Sequence, residues 1–236
     1  MIDSKRFRRG VAGVLAALVL ALCCTPHAAR AESNDAPDAA TADVLIQAGH
    51  EGRPDCDREP LRLCNNTGAV GEMAWTPIVA DEATRILRAA GITVIRRPAF
   101  LHGQYHVKDA VFLHFDGNAQ PCGSGASVGY PVRAHSPEAA AAWKALYGAS
   151  FPFRFQPDNF TVHLAQYYGF DHVRDVSDAA FVIEWGEVSC PAQHTWLGRR
   201  LAWEGALLAY FLARRLGNTS VPLPAAPSSP AEPKTL

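Results

Sequence analysis

An apolar run from Val44 to Ala48 stops at Gly49 and is followed at once by His50, and this stretch constrains the fold most strongly. A short, glycine-bounded run rich in aliphatic residues is typical of a buried strand. Strands of this kind occur in α/β proteins, in which ligands bind beyond the carboxyl ends of the strands. The run therefore predicts an α/β fold with His50 at the ligand-binding edge of its sheet.

Two later apolar runs also lead to a residue that can take part in chemistry. Val107 to Phe115 carries His114 near its end, and Ala179 to Glu184 ends in a carboxylate. Strands that alternate with helices predict a sheet with helices packed against it. Apolar periodicity and capping residues predict helices over 75–90, 136–148, 158–168 and 196–216. Short strands are predicted over 92–96 and 172–176, and a glycine-rich loop is predicted over 117–131.

The first 31 residues are typical of a secretory signal peptide, with a basic start, an apolar stretch over 11–22 and an A-x-A cleavage site ending at Ala31. The apolar stretch is short for a membrane span. We therefore expect a periplasmic or secreted protein that keeps no stable membrane anchor after cleavage. The alternatives are an uncleaved anchor, a lipoprotein cysteine at Cys23 or Cys24, and a twin-arginine signal.

The composition of the remaining chain predicts one domain with a short polar segment at each end. Residues 32–42 are rich in Ala, Asp and Ser, and residues 217–236 are rich in Pro, Ser and Ala. Both segments are predicted to be disordered. The segment between them, 43–216, is long enough for a single domain with a substantial core. The first 31 residues hold five of the 22 basic and one of the 23 acidic side chains, so the remainder has a net charge of −5 with histidine neutral. This charge does not indicate a nucleic-acid partner, and we expect a monomer.

Four cysteines remain after the predicted cleavage, and an even number in a secreted protein favours disulfides. Of the three possible connectivities we favour Cys56–Cys64, which closes a short loop, together with Cys122–Cys190, which ties two loops that leave core strands. A cysteine-rich zinc site is the alternative, although no C-x-x-C spacing supports it.

A metal site is predicted because His50, Glu72 and His114 each stand at a predicted strand end or helix start. Two imidazoles and one carboxylate suit a catalytic zinc ion, one per chain, and leave a fourth position for water. Hydrolysis also needs a carboxylate outside the ligand set to move a proton. Glu184 is predicted to take that role because burial at the end of an apolar strand would raise its pKa.

Each of these residues also has a plainer interpretation. Either histidine alone can be a hydrogen-bonded core residue, and Glu72 can be an exposed carboxylate at a helix start. Glu51 is open as a ligand in place of Glu72, and Glu187 or His194 can join the site. The remaining histidines are interpreted as surface or loop residues.

These stretches resemble the zinc-dependent N-acetylmuramoyl-L-alanine amidases of bacterial cell-wall separation and spore lysis. The pattern of that family is a strand ending in Gly-His, a glutamate at the start of the next helix, a strand ending in a second histidine, and a late strand carrying a glutamate. The chain matches it from about residue 44 to residue 216. The matching stretches are Gly49-His50, Gly71-Glu72, Leu113-His114 followed by Asn118-Ala119, and Ile183-Glu184.

The resemblance implies a fold, a cofactor and a substrate. The fold would be a mixed, about six-stranded sheet with helices on both faces. His50, Glu72 and His114 would bind Zn²⁺, and Glu184 would be the catalytic carboxylate. The substrate would be peptidoglycan, cut at the amide between N-acetylmuramic acid and L-alanine.

The chain departs from the family pattern at several positions. Gln47 replaces an Asp or a small residue, Glu51 replaces a glycine, and the region 131–170 aligns poorly. The poorly aligned region motivates one alternative, a zinc hydrolase of the same fold that acts on another peptide or N-acyl amide. Gln47 and Glu51 motivate another, a cell-wall binding module without turnover.

Overall fold

A mixed sheet of six strands forms the centre of the protein, for which a computed structural model describes residues 40–53, 66–131, 135–174 and 178–226. The strands are β1 (Ala40–Ala48), β2 (Val94–Arg97), β3 (Tyr105–Asp116), β4 (Ser127–Gly129), β5 (Val173–Arg174) and β6 (Ala179–Glu187). Their order is β2-β1-β3-β6-β4, with β5 also paired to β3. Every pair is parallel except β4 with β6, so the predicted mixed six-stranded α/β sheet is confirmed.

Helices cover both faces of the sheet, but unequally. They are α1 (Glu72–Ala89), α2 (Ser136–Gly148), α3 (Val162–Ala165), α4 (Pro191–Gly198), α5 (Leu201–Arg215) and a 3₁₀ helix (Tyr168–His172). One core joins sheet residues such as Ile46 to residues of α1, α2, α4 and α5. The other is smaller and joins Phe112 to Leu164 of α3 and Phe170 of the 3₁₀ helix.

The alternation of side chains along the strands explains the two cores. Successive residues of a strand point to opposite faces. Leu113 and Ile183 accordingly belong to the larger core, whereas Phe112 and Val182 belong to the smaller one. The apolar runs seen in the sequence are continuous because these strands are buried on both faces.

Three element predictions need correction. The predicted loop 117–131 contains β4, and the predicted helix 158–168 is reduced to α3. That helix stops because Tyr167 is extended (φ −62°, ψ 130°) and its hydroxyl is held by side chains of the sheet, so tertiary contacts override helix propensity. The predicted helix 196–216 is two helices, α4 and α5, which are separated at Arg199 and Arg200 just after Gly198.

The boundaries of the domain also differ from those predicted. β1 begins at Ala40, inside the segment 32–42 that was predicted to be disordered, because it pairs with β3 from Tyr105 onward. At the other end, Val221 is buried and the Asn218 side chain donates a hydrogen bond to the Ala90 carbonyl at 3.1 Å. The first part of the predicted tail 217–236 therefore packs against the domain.

Several predictions fall on the termini or the cysteines. The predicted signal peptide, 1–31, lies outside the described residues. Among the residues that are described, no helix is both long enough and apolar enough to cross a membrane. The predicted Cys122–Cys190 disulfide is present, and Cys56 and Cys64 lie outside the described residues.

Candidate metal centre

Three predicted ligands, His50, Glu72 and His114, come together beyond the carboxyl end of β1. One donor atom from each lies within 4.8 Å of the other two. Glu72 Oε1 is 3.5 Å from His50 Nε2 and 2.8 Å from His114 Nδ1. In the described part of the chain, no other cluster of His, Cys, Asp or Glu side chains has this geometry.

The end of β1 presents His50 because of a glycine and a strained backbone. A Cβ atom on Gly49 would lie 2.4 Å from Cε1 of His114, so only glycine lets β1 pass so close to that ring. His50 itself adopts the left-handed conformation (φ 61°), which is uncommon for a residue with a side chain. Strain of this kind clusters at functional sites, where the surrounding structure holds it.

Glu72 is the first residue of α1, and its carboxylate is held by the backbone of two neighbouring segments. Its Oε2 accepts from the Ala69 amide at 2.8 Å, and its Oε1 accepts from the Phe115 amide at 3.1 Å. Burial favours the neutral acid, but the contact with the His114 ring, the nearby His50 ring and the hydrogen bond from the Ala69 amide outweigh it and lower the pKa of Glu72. One turn later, the Thr76 hydroxyl donates to the Gly49 carbonyl at 2.6 Å and docks α1 on the end of β1.

The ring of His50 is oriented by a backbone carbonyl. Its Nδ1 lies 2.7 Å from the Asn66 carbonyl oxygen, which can only accept a hydrogen bond. Nδ1 therefore carries the proton, and the lone pair of Nε2 faces Glu72. Burial lowers the pKa of His50, which favours the neutral ring that a metal requires.

The ring of His114 is held from both sides. Its Nδ1 faces Glu72, and its Nε2 lies 2.9 Å from the Tyr167 hydroxyl. The Tyr167 hydroxyl is also 2.9 Å from Gln47 Oε1. Burial raises the pKa of Tyr167 well above its usual value, so the residue remains a phenol.

Glu184 lies beside the three-residue cluster. It is the register partner of His114 on β6, and on its other side it is the register partner of Ser127 on β4. Part of the side chain is exposed, but Oε2 is shielded from solvent and has no hydrogen-bond partner among the described residues. Burial raises the pKa of Glu184 well above its usual value, and the nearby charges of Glu72 and Asp116 raise it further.

The other acidic candidates are engaged elsewhere. Glu187 accepts from the backbone amides of Cys122 and Ser124 at 2.7 Å and 2.6 Å, and it therefore anchors the loop after β3. Burial favours the neutral acid, but a hydrogen bond from the Ser189 hydroxyl and those from the two amides outweigh it and lower the pKa of Glu187. Glu51 binds Arg96 at 2.7 Å, so neither glutamate joins the cluster.

The remaining candidate, His194, packs its ring against Trp75 at a centroid distance of 4.6 Å and also stays outside the cluster.

Two features of the site were missed by sequence reasoning. Asp116 contributes to the high pKa of Glu184, and its own pKa is raised by burial. It follows His114 by two residues on β3, so the two-residue period of a strand is a signal that could have found it. Tyr167 contacts Gln47 across 120 residues of sequence, and no local pattern indicates that contact.

The donor atoms fit a metal ion by their chemistry. Two imidazole nitrogens and a carboxylate oxygen converge, as in catalytic zinc sites that leave a position for water. Each ligand is held by a further contact, from Asn66, Ala69 or Tyr167. Such supporting contacts are the rule around metal ligands, because they fix the tautomer and the orientation of the ring.

No family model and no curated protein sequence matches the chain. Among solved structures, it is similar to the N-acetylmuramoyl-L-alanine amidase AmiC2 of Nostoc punctiforme, with a TM-score of 0.54 at 12% identity over 76% of this chain and 98% of that chain. The chain has the fold of the N-acetylmuramoyl-L-alanine amidases.

Two further amidases of this fold give the same result. The catalytic domain of CwlV from Bacillus (Paenibacillus) polymyxa var. colistinus has a TM-score of 0.51 at 15% identity, over 75% of this chain and 98% of that one. Ami1 from Mycobacterium smegmatis has a TM-score of 0.51 at 17% identity, with the same coverage of both chains. The structural similarity therefore extends over nearly the whole length of each solved amidase.

Proposed function

We propose that the protein is a secreted, zinc-dependent N-acetylmuramoyl-L-alanine amidase that cleaves the amide between N-acetylmuramic acid and L-alanine in peptidoglycan. The observation that carries the proposal is the cluster of His50, Glu72 and His114, whose donor atoms lie within 4.8 Å of one another beside Glu184. The amidases of the same fold support the choice of bond.

The roles follow from the environment of each side chain. His50, Glu72 and His114 would hold one zinc ion, which when bound lowers the pKa of water toward neutrality and polarises a carbonyl. The Glu184 carboxylate would take the proton of the attacking water and deliver it to the leaving amine nitrogen. Its raised pKa suits both transfers, because the group must hold the proton between the two steps.

The location of the protein is part of the proposal. The predicted signal peptide, 1–31, directs the chain out of the cytoplasm, where disulfides such as Cys122–Cys190 form and persist. Peptidoglycan is met in that compartment. The proposed enzyme works there as a monomer with no stable membrane anchor after cleavage and no nucleic-acid partner.

The test is product analysis with purified peptidoglycan. Protein lacking residues 1–31 and loaded with zinc is incubated with sacculi, and the soluble products are identified by mass spectrometry. Stem peptides with a free N-terminal alanine, together with uncut glycan strands, are the expected result. Glu184→Gln with zinc still bound is the matched control and should release no peptides. Zinc-loaded protein that releases no stem peptides from sacculi would contradict the proposal.

A panel of other amides separates the proposal from its alternatives. A hydrolase for another peptide or N-acyl amide would cut those substrates and leave peptidoglycan intact. A binding module would retain sacculi without products. The residues that motivated a binding module, Gln47 and Glu51, contact Tyr167 and Arg96 and lie outside the ligand cluster, so the geometry favours turnover.

A further inference from the structure

A chain of hydrogen bonds leads from the back of the His114 ring to the backbone carbonyl of Ala99. His114 Nε2 lies 2.9 Å from the Tyr167 hydroxyl, which lies 2.9 Å from Gln47 Oε1. The amide nitrogen of Gln47 lies 3.2 Å from the Ala99 carbonyl and 2.7 Å from the Tyr168 hydroxyl. The Tyr168 hydroxyl in turn donates to the Ala99 carbonyl.

The Ala99 carbonyl sets the direction of every bond in this chain, because a carbonyl oxygen can only accept. The Gln47 amide must therefore present its nitrogen to Ala99 and its oxygen to Tyr167. That oxygen also only accepts, so the Tyr167 hydroxyl donates its proton to Gln47. The lone pair of the Tyr167 oxygen is then available to His114, whose Nε2 must carry a proton.

The consequence lies on the opposite side of the ring. With the proton on Nε2, a neutral His114 directs the lone pair of Nδ1 at Glu72 Oε1, 2.8 Å away. The Asn66 carbonyl fixes His50 in the same sense and directs the lone pair of its Nε2 at the same carboxylate. Two imidazole lone pairs and a carboxylate oxygen therefore converge, and together they form a donor set suited to a metal ion.

We propose that Tyr167 and Gln47 are positioning residues that fix the tautomer of His114, so that it binds the metal through Nδ1. The inference rests on the metal site of the proposed function. It assigns a purpose to Gln47, which is fully buried at the end of β1. It also assigns a purpose to the extended backbone of Tyr167 between α3 and the 3₁₀ helix.

The decisive measurement is the dissociation constant for Zn²⁺, obtained by competition with a chromophoric chelator at fixed pH. Tyr167→Phe removes only the hydroxyl and should weaken zinc binding by about 10- to 100-fold, the usual effect of losing a partner behind a metal-bound histidine. Gln47→Met removes the acceptor that orients the Tyr167 proton, and it should weaken binding in the same direction by less.

A tyrosine outside this chain of hydrogen bonds supplies the matched control. Tyr147→Phe removes a buried hydroxyl that donates to the Trp185 carbonyl at 2.8 Å in the other core, so it measures the effect of losing a buried hydrogen bond alone. It should lower the free energy of unfolding and leave zinc affinity unchanged.

A spectroscopic signature separates positioning from a merely structural role. In the zinc-loaded protein labelled with ¹⁵N-histidine, the ring proton of His114 should reside on Nε2 and exchange slowly with water. In Tyr167→Phe, the same proton should exchange faster. A Tyr167→Phe protein that binds zinc as tightly as the unaltered chain, or a His114 ring protonated on Nδ1, would overturn the inference while the metal site stands. An unaltered chain that binds no zinc would overturn the proposed function and the inference with it.

Discussion

His114 of β3 and Glu184 of β6 are partners across neighbouring parallel strands, so both side chains leave the sheet on the same face. One belongs to the ligand cluster, whereas the other keeps a shielded oxygen without a partner in the described part of the chain. The parallel register therefore places a proton acceptor beside the proposed metal without making it a ligand.

The first prediction concerns this division of roles. Glu184→Gln should lower the turnover of peptidoglycan by about 10²- to 10⁴-fold, because the amide cannot accept the proton of water. Zinc content, measured by atomic emission on the dialysed protein, should stay at one ion per chain. His114→Ala is the contrasting variant and should lose both activity and zinc. Full activity in Glu184→Gln would remove this residue from the mechanism.

The second prediction tests the steric reason for Gly49. Gly49→Ala places a methyl group 2.4 Å from the His114 ring and 2.5 Å from the Leu113 carbonyl, so the ring or β1 must move. We expect a loss of about 1–3 kcal/mol in the free energy of unfolding and weaker zinc binding. Gly148→Ala is the control, because its new methyl group would lie at an ordinary 3.6 Å from Phe155. Unchanged zinc affinity in Gly49→Ala would contradict the proposed crowding.

The third prediction concerns a buried ion pair far along the chain from the site. Asp109 of β3 is fully buried, and Arg215 of α5 donates to both of its oxygens at 2.9–3.2 Å. Arg215→Met should lower the free energy of unfolding by about 3 kcal/mol, which is the lower end of the range for breaking a buried ion pair. We expect the lower end because burial raises the pKa of Asp109, so the carboxylate left without its partner can take up a proton. Arg214→Met, an exposed neighbour on the same helix, should change it by less than about 0.5 kcal/mol in denaturant unfolding.

The fourth prediction gives a pH dependence. Glu204 of α5 is fully buried, and neither carboxylate oxygen has a hydrogen-bond partner among the described residues. Burial raises the pKa of Glu204 well above its ordinary value of 4.5, and the charge of Arg200 offsets this only in part. As the pH rises, Glu204 in the folded protein therefore keeps its proton to a higher pH than it does in the unfolded chain.

The sign of the effect follows from that difference. The contribution of Glu204 to stability is fully present below pH 4.5 and is lost as the pH rises toward the raised pKa. Relative to the unaltered chain, Glu204→Gln should therefore gain about 1.4 kcal/mol in the free energy of unfolding for each pH unit in this window. Urea unfolding at several pH values measures the gain, and Glu138→Gln at an exposed position of α2 is the control. A gain that does not depend on pH would show that Glu204 is ionised in the folded protein.

The sequence was informative where one strong local signal decided the outcome. The apolar runs ending near His50, His114 and Glu184 predicted three of the central strands, because strands buried on both faces must be apolar throughout. The pair Ser136-Pro137 predicted the start of α2 correctly, but the N-cap is His135 and not Ser136, whose hydroxyl accepts from the Ala180 amide instead. The three predicted ligands come together because parallel strands and the following helix meet at one edge of the sheet.

The sequence was uninformative where contacts over long distances decided the outcome. Gln47 differed from the family pattern, and only its contact with Tyr167 explains its place in the core. β4 has three residues and exists through its pairing with β6, so it carries no recognisable period of its own. The strand β6 continues past Glu184 to Glu187, because Glu187 pairs again with Asp116 of β3 after a shift of register.

The Cys122–Cys190 disulfide closes a covalent ring whose ends are 68 positions apart in sequence. Tyr167 and Glu184 lie inside this ring, whereas His50, Glu72 and His114 all precede it. In the chain-entropy view, closing a ring of this size restricts the unfolded chain by about 4 kcal/mol. A reductant therefore removes this restriction from the segment that carries the proposed catalytic carboxylate and the phenol behind His114, and it leaves the connectivity of the segment with the three proposed ligands unchanged.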